Sequence, residues 1–217
     1  MIPKTIQQKL DEGRSYRAVA QIEVRAAEAG EREERMIVEG YATTFNEPYV
    51  LWSEDGYTVI EQVSDRAFDK TDMNDVIMQY DHEGRVFARI SNNTLELTVD
   101  EHGLKIRADL SGTEIGRQLY EEIMGGYTDK MSFGFTVDED RQEVVENHET
   151  GEVTIIRTIT AIRKLYDVSA VSLPANNATE ISARAFCEGV IAEAAEERRA
   201  AAERDRQKRK IKILMEV

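Results

Sequence analysis

The chain has 217 residues, of which 28 are basic and 42 acidic, and its formal net charge is −14. This length fits one domain of ordinary size with polar appendages. The acidic balance argues against a general nucleic-acid binder, and no stretch approaches the roughly eighteen apolar residues of a membrane-spanning helix, so we expect neither nucleic acid nor membrane as a partner.

The N-terminal part of the chain predicts a polar arm followed by strands. Residues 1–15 are polar without clear periodicity, which predicts a loose arm. Alternating side chains predict one strand over residues 16–25 and a second over residues 35–45, paired as an antiparallel unit with a long connection. A short strand is predicted over residues 58–63, and a turn or short helix over residues 64–72.

The middle of the chain predicts a meander of hairpins and one helix. Turn-like links separate four strand candidates, at residues 75–80, 86–90, 94–99 and 104–110. A helix is predicted over residues 112–124, because Ile115, Leu119 and Ile123 form an apolar stripe. Gly125 follows at the position where a helix commonly ends.

The remaining strands complete a fold of mostly β type. A strand is predicted over residues 130–137, an exposed polar turn or loop over residues 138–151, and two strand segments over residues 153–160 and 161–173. These elements predict an α+β fold, mostly antiparallel β, with a curled sheet or a barrel and at least one packed helix.

The C-terminal segment has a composition of its own. Residues 188–210 consist almost entirely of Ala, Glu, Arg, Lys, Asp and Gln, which predicts a charged C-terminal helix. Two interpretations stay open for it: a solvated extension, or a tail that docks on a partner or is removed.

Elimination among the three histidines singles out one pair of residues. His102 and His148 lie in polar turns and are expected to be exposed. His82 follows an apolar strand, where a strand end can present a side chain to a cleft. Ser132 lies in an apolar, strand-like run, and a serine nucleophile needs a base such as histidine to take its proton. The pair suggests acyl transfer, with peptide hydrolysis as the reaction.

Other chemistries have little support in the sequence. Metal-ligand motifs and glycine-rich nucleotide motifs are missing, so neither a metal nor a cofactor is expected. Cys187 is the single cysteine, so no internal disulfide can form, which fits a reducing compartment. It is expected to be a passive residue and not a nucleophile. Gly134 would let a peptide or an oxyanion approach closely. The oxyanion donors stay open between the loop at residues 84–85 and the pair at residues 125–126.

Several segments together carry a resemblance to one family. They are residues 38–46, 67–68, 80–83, 88–89, 94–97, 103–104, 131–135 and 165–176. The most specific are the Met-Ser-Phe-Gly-Phe run that contains Ser132 and the Asp-Val-Ser motif that begins at Asp167. In this order, across residues 16–180, they resemble the prohead (procapsid) maturation proteases of tailed bacteriophages, which are similar in fold to herpesvirus assemblins.

The resemblance implies roles for individual residues. It implies a serine endopeptidase with Ser132 as the nucleophile and His82 as the general base. In assemblin-like enzymes the third member is a second histidine, but the spare histidines here lie in polar turns. Asp167 is therefore the predicted third member, with Glu61 and Asp65 as the reserves.

The resemblance also implies a biological setting. It implies that the enzyme cleaves scaffold and major capsid protein, and also itself. The reaction would take place inside the immature prohead in the host cytoplasm. A homo-oligomer is possible. It divides the chain into an arm (residues 1–15), an assemblin-like protease domain (16–180) and a docking or removable helical tail (181–217). The alternative is a non-catalytic assembly or scaffold protein that keeps the fold and organises capsid subunits through the tail.

Overall fold

The computed structural model describes residues 4–24, 35–172 and 177–215. Within these ranges the chain forms three α-helices, one short 3₁₀-helix and ten strands. In chain order they are α1 (Lys4–Asp11), β1 (Ser15–Val24), β2 (Ile37–Thr44), β3 (Tyr49–Glu54), β4 (Tyr57–Val63), β5 (Ile77–Tyr80), β6 (Glu83–Arg89), the 3₁₀-helix (Ile90–Asn92), β7 (Leu95–Val99), β8 (Gly103–Asp109), α2 (Glu114–Met124), β9 (Lys130–Glu146), β10 (Val153–Val171) and α3 (Asn177–Met215).

The strands form one open sheet. Its order is β3-β4-β10-β9-β1-β2-β8-β7, with β5 paired to β10 and β6 paired to β5 beside this path. No hydrogen-bonded pairing joins the end strands β3 and β7 in the described part of the chain, so the sheet does not close. The predicted α+β class is confirmed, whereas the barrel alternative is wrong.

The sheet is mostly antiparallel, as predicted, with two parallel pairs that both involve β10. One edge of β10 pairs with β4 over residues 153–159 and then with β5 over residues 167–170. The other edge pairs with β9 along almost its whole length. The strand β10 therefore positions β5, and with it the β5–β6 turn, against β9.

Three elements differ from the sequence-based expectations. The strand β9 continues to Glu146, where a loop was predicted from residue 138; its outer half is exposed, as its polar composition predicted, but pairs with β10. The strand β3 was not predicted. The helix α1 lies within the predicted loose arm, and its Lys9 contacts the β5–β6 turn.

The other two helices were predicted. The helix α2 begins after Thr113, whose Oγ1 accepts a hydrogen bond from the Gly116 N–H at 3.0 Å, and it ends at the predicted Gly125. The helix α3 is longer than predicted, and the expected boundary at residues 180–181 falls inside it. No helix in the described ranges combines the length and apolar character that crossing a bilayer requires.

Two apolar clusters form the core. The larger one lies on one face of the sheet and includes Leu119 and Ile123 of α2. The smaller one packs α3 against β4 and β10, and its buried members are Val59, Val153, Ile155, Cys187, Val190 and Ala194. Burial of these apolar groups anchors the first half of α3 on the sheet, whereas residues 199–211 of the same helix are exposed.

Candidate active site

Alternation along β9 places Ser132 on the face opposite the larger core. Met131, Phe133 and Phe135 are buried in that core, and their neighbours at even positions point to the other side of the sheet. Ser132 is nevertheless fully buried, because it lies on a central strand with β1 on one side and β10 on the other. The face of β9 that carries Ser132 is thus enclosed within the protein and is not open to water.

The strand β10 repeats the same alternation next to Ser132. Val168 and Ala170 face the larger core, while Asp167 and Ser169 share the face of Ser132. In the register of the two strands Ser169 lies opposite Ser132. A β-bulge just before Asp167 shifts the register of β10, and such bulges commonly re-aim side chains beside functional sites.

His82 lies in a two-residue hairpin turn between β5 and β6. Tyr80 pairs with Glu83 across the turn, and the two turn residues, Asp81 and His82, have φ angles of 48° and 61°. Two positive φ angles characterise the type I′ turn, which matches the twist of a hairpin but favours Asn and Gly. A histidine here costs backbone strain, and in return the turn holds the imidazole at the end of a strand.

The turn is fixed to the rest of the protein from two sides. The Asp81 N–H donates to the Ala170 carbonyl at 2.9 Å, and the Asp81 carboxylate accepts from the N–H and Oγ of Ser172 at 3.1 and 3.0 Å. Lys9 of α1 donates to the His82 carbonyl at 2.6 Å. These bonds oppose rotation of the turn away from β10.

The three predicted residues meet in one hydrogen-bonded chain. The Nε2 atom of His82 lies 2.6 Å from Oγ of Ser132, and Nδ1 lies 2.5 Å from Oδ1 of Asp167. Ser169 donates from its Oγ to the same Asp167 oxygen at 2.9 Å. An alcohol, an imidazole and a carboxylate in this order can pass a proton from the alcohol to the ring.

The charges at this site fix the direction of the hydrogen bonds. Burial on its own raises the pKa of the Asp167 carboxyl, but His82 and the hydrogen bonds from His82 and Ser169 outweigh it and lower the pKa below its usual value. An ionised carboxylate only accepts, so Nδ1 carries the ring proton in the neutral imidazole. The Nε2 lone pair is then free to accept from Ser132.

Tyr16 of β1 encloses the site from the side. Its ring centroid lies 4.4 Å from that of His82, and its side chain is fully buried. Burial, and secondarily the charge of Asp167, raises the pKa of the Tyr16 phenol well above its ordinary value. The phenol therefore stays neutral, and its hydroxyl has no hydrogen-bond partner within the described ranges.

The two reserve acids lie elsewhere. Glu61 of β4 is buried in an ion-pair network: Arg17 donates to its carboxylate from Nη2 at 3.0 Å, Arg157 from Nη1 at 2.8 Å, and the Tyr49 hydroxyl at 2.5 Å. Burial alone would raise the pKa of Glu61, but Arg17 and then Arg157 lower it to about 2. Asp65 lies exposed in a turn, where it accepts from Ser64. Neither residue contacts His82.

The remaining candidates have other surroundings. His102 and His148 are exposed, as predicted. Cys187 lies on α3 and is buried against the sheet, and burial raises the pKa of its thiol to about 11. Gly125 ends α2. Within the described ranges no group of three or more His, Cys, Asp or Glu side chains could hold a metal ion.

The sequence matches one known protein family. The sequence profile of the caudovirus prohead serine protease family matches residues 20–190. The chain belongs to this family. The predicted resemblance to phage prohead proteases is thereby confirmed. The matched range contains Ser132, His82 and Asp167 and ends inside α3. Neither a curated protein nor a solved structure matches the chain.

Sequence reasoning did not single out Ser169, Tyr16 or Lys9, although each contacts His82 or Asp167 in this family member. A signal for Ser169 was present in the alternation of polar and apolar residues after Asp167. Tyr16 and Lys9 carried no such signal, because their contacts depend on how β1 and α1 pack against a distant turn.

Proposed function

We propose that this family member is a serine endopeptidase of prohead maturation in which Ser132 is the nucleophile, His82 the general base and Asp167 the residue that orients the base. The observation that carries the proposal is the continuous chain from Ser132 Oγ through the imidazole to the Asp167 carboxylate, with links of 2.6 and 2.5 Å. Both lengths lie within the reach that proton transfer requires.

The geometry supports a two-step mechanism. Ser132 Oγ attacks the carbonyl carbon of the scissile peptide bond while His82 Nε2 takes the hydroxyl proton. The ionised Asp167 stabilises the resulting imidazolium without accepting its proton. His82 then protonates the leaving amine, which departs as the acyl-enzyme forms. In the second step the same imidazole takes a proton from a water molecule as its oxygen attacks the acyl carbon. The bond between this carbon and Ser132 Oγ then breaks, the imidazolium returns its proton to Oγ, and the acid is released.

The burial of the site adds a condition to this mechanism. Ser132 and His82 are both fully buried, so a peptide reaches the hydroxyl only when covering groups move. Such a step is common in enzymes whose sites close over the substrate. We therefore expect a serine-reactive phosphonate to label Ser132 slowly.

The substrates follow from the family rather than from the site geometry. A protease of the prohead meets scaffold and major capsid protein at high local concentration, and it meets other copies of itself. We propose that it cleaves these proteins, including its own chain. We expect the cut to fall in the exposed distal half of α3, because a protease reaches exposed and weakly anchored segments most easily.

The test compares two variants that each lose one hydroxyl from the same strand. Ser132→Ala removes the proposed nucleophile. Thr136→Val is the matched control, because Thr136 lies on the same face of β9, is buried and has no hydrogen-bond partner for its Oγ1 within the described ranges. Each protein is incubated at high concentration, alone and with denatured casein, and the products are measured by mass spectrometry.

We expect wild type and Thr136→Val to cut casein and to react with a fluorophosphonate, and Ser132→Ala to do neither while keeping its circular dichroism spectrum. Equal cleavage by Ser132→Ala and wild type would disprove the assignment of Ser132.

The non-catalytic alternative has one observation in its favour, the exposure of residues 199–211 of α3, which a partner could cover. It predicts that folded wild type neither cuts casein nor reacts with the phosphonate, yet binds capsid protein through residues 187–217. The same set of measurements therefore separates the two functions.

A further inference from the structure

Tyr16 is a large buried side chain that belongs to neither apolar cluster. Among the largest fully buried side chains of the described ranges, only Arg17 and Tyr16 lie outside the two clusters. The ion pair with Glu61 accounts for the burial of Arg17. Tyr16 has no equivalent pairing, because its hydroxyl makes no hydrogen bond within the same ranges. Neither core packing nor a polar partner therefore explains why a tyrosine is buried here.

The register of the sheet places Tyr16 beside the proposed triad. Tyr16 pairs with Gly134 across β1 and β9, so its side chain lies on the face that carries Ser132. Its ring centroid lies 4.4 Å from that of His82, with an angle of 55° between the two ring planes.

The ring also lies close to the Asp167 carboxylate, and the two meet above Gly134. Cε1 of Tyr16 lies 2.8 Å from the point that a Cβ atom of residue 134 would occupy, and Oδ2 of Asp167 lies closer to the same point. The ring therefore borders both members of the hydrogen bond between His82 and Asp167.

This hydrogen bond depends on the groups that surround it. The imidazole stands on a two-residue turn, and rotation about its side-chain bonds would move Nε2 away from Ser132 even while the turn backbone stays in place. Water that reached Nδ1–H would compete with the carboxylate, and a hydrogen bond is stronger where the local dielectric is low.

A neutral aromatic ring against the imidazole limits both of these motions, the rotation of the ring and the entry of water. The phenol of Tyr16 stays neutral, because burial raises its pKa above the ordinary value, so it brings no second charge to the site. The contact with His82 is made by the ring, whereas the hydroxyl has no partner in the part of the chain that the structure describes.

We propose that Tyr16 is a positioning residue whose ring holds the His82 imidazole against Asp167 and keeps water from the hydrogen bond between them. The inference rests on the proposed protease function, but the hydrogen bond itself can be measured without a substrate. Tyr16 precedes the family match, which begins at residue 20, so that match assigns it no role.

The experiment separates the ring from the hydroxyl and from general packing. Tyr16→Phe keeps the ring and removes the hydroxyl. Tyr16→Leu removes the ring, and Tyr16→Met does the same with a more adaptable side chain, in case leucine prevents folding. Phe45→Leu is the matched control, because Phe45 is also a buried aromatic residue but packs against Phe68 in the larger core.

Two measurements are made on each variant that keeps the circular dichroism spectrum of wild type. Proton NMR of protein labelled with 15N-histidine detects Nδ1–H of His82, which gives a far-downfield signal in a short buried hydrogen bond and loses it by exchange when water has access. His102 and His148 are exposed, so their ring protons exchange rapidly, and His82→Gln assigns the signal. The second measurement is kcat and KM for a casein-derived peptide, with Ser132→Ala as the blank.

We expect the downfield signal in wild type, Tyr16→Phe and Phe45→Leu, and its loss in Tyr16→Leu and Tyr16→Met. The two variants without the ring should also lose about 100-fold in kcat with KM nearly unchanged, because displacement of a reacting group lowers the rate rather than the binding of substrate. Tyr16→Phe, the conservative variant, should retain most of the kcat.

A folded variant without the ring that keeps the signal, or keeps the kcat of wild type, would overturn the proposal. A loss of kcat in Tyr16→Phe or Phe45→Leu as large as in Tyr16→Leu would overturn it too, since the hydroxyl or general packing would then be responsible. If wild type cuts no more peptide than the Ser132→Ala blank, the protease function fails instead, and the NMR signal still decides whether Tyr16 holds His82 against Asp167.

Discussion

Gly134 and Asp167 are register partners on β9 and β10, and the carboxylate of Asp167 lies against the Cα atom of Gly134. A Cβ atom at position 134 would overlap Oδ2 of Asp167 and lie 2.8 Å from Cε1 of Tyr16. The sequence predicted that this glycine serves the approach of a substrate or oxyanion. The structure shows another reason for it: the glycine makes room for the Asp167 carboxylate, which is hydrogen-bonded to His82.

Gly134→Ala should therefore damage activity more than stability. The added methyl group displaces the Asp167 carboxylate, and a displacement of about 1 Å at a reacting group can cost about 100-fold in rate. We expect kcat to fall by about that factor, measured on a casein-derived peptide, while the circular dichroism spectrum is retained.

The control for this prediction is Gly189→Ala in α3, where an added Cβ meets nothing within 4 Å. Alanine is the better helix former, so this variant should be as active as wild type and slightly more stable. Equal activity of Gly134→Ala and Gly189→Ala would show that the position of Asp167 does not matter.

Ser169→Ala tests the electrostatics of the same carboxylate. The Ser169 hydroxyl donates to Asp167 and helps to lower its pKa. Without this bond the pKa of Asp167 rises, so the carboxylate becomes protonated at a higher pH than in wild type. We expect kcat/KM at neutral pH to fall about fivefold, as for one lost hydrogen bond, and the acid limb of the pH–rate profile to move to higher pH. Ser53→Ala, on exposed β3, should leave the profile unchanged.

The strained turn at Asp81 gives a third prediction, and a second strained turn provides the matched control. Asp81→Val places a β-branched residue at a φ angle of 48° and removes the acceptor of Ser172. Asp55→Val makes the same change in the two-residue turn between β3 and β4, where Asp55 has a φ angle of 52°. Both should cost about 1–3 kcal/mol of unfolding free energy, because such conformations are strained for branched residues.

Only Asp81→Val should lose activity, by 100-fold or more in kcat, because only this turn carries His82. Asp81→Asn should keep most of the activity, since asparagine adopts positive φ readily. Thermal unfolding and peptide hydrolysis measure the two effects separately. Equal losses of activity in Asp55→Val and Asp81→Val would contradict a specific role for the β5–β6 turn.

The proximity of Ser132, His82 and Asp167 was easier to predict from sequence than the sheet around them. Histidine is rare in this chain, so elimination left His82, and the alternation around Ser132 marked a polar position on an apolar strand. Asp167 stood in a motif of the resembling family. None of these signals depended on knowing which strands pair.

The misses have a common physical cause. The outer half of β9 was read as a loop because its side chains are polar, yet it is a strand because its backbone pairs with β10. Long-range pairing of this kind overrides local composition. The parallel pairing of β10 with β4 and β5 was missed for the same reason. The crowding at Gly134 was not predicted, because it comes from Tyr16 and Asp167, which lie far away in sequence.

Cys187 gives a fourth prediction, about inhibitors. Burial between α3 and the sheet raises the pKa of its thiol to about 11 from an ordinary 9.0. The reactive thiolate is then roughly 100-fold scarcer at pH 8, and access is blocked as well. We expect iodoacetamide to modify native protein slowly at this pH and to leave activity intact, whereas a fluorophosphonate abolishes it. Rapid loss of activity with iodoacetamide would contradict the assignment of Ser132 as the nucleophile.

Glu61 gives the last prediction, which concerns stability. Its carboxylate pairs with the guanidinium groups of Arg17 and Arg157 in a buried network, and Asp140 also pairs with Arg157. Glu61→Gln removes the negative charge that lies between the two guanidinium groups. Removing one partner of a buried ion pair costs about 3–5 kcal/mol, so we expect the free energy of unfolding at pH 7 to fall by about that amount. Glu54→Gln, an exposed residue of the neighbouring strand, should change it little.

The dependence on pH distinguishes this charge effect from a loss of packing. The pKa of Glu61 is lowered from 4.5 to about 2 by folding, so its contribution is fully present above about pH 4.5 and is lost as the pH falls towards 2. Wild type and Glu61→Gln should therefore differ most at neutral pH and converge on acidification in urea-unfolding experiments. A difference that stays constant from pH 7 to pH 2.5 would show that shape, and not the ionised carboxylate, accounts for the stability.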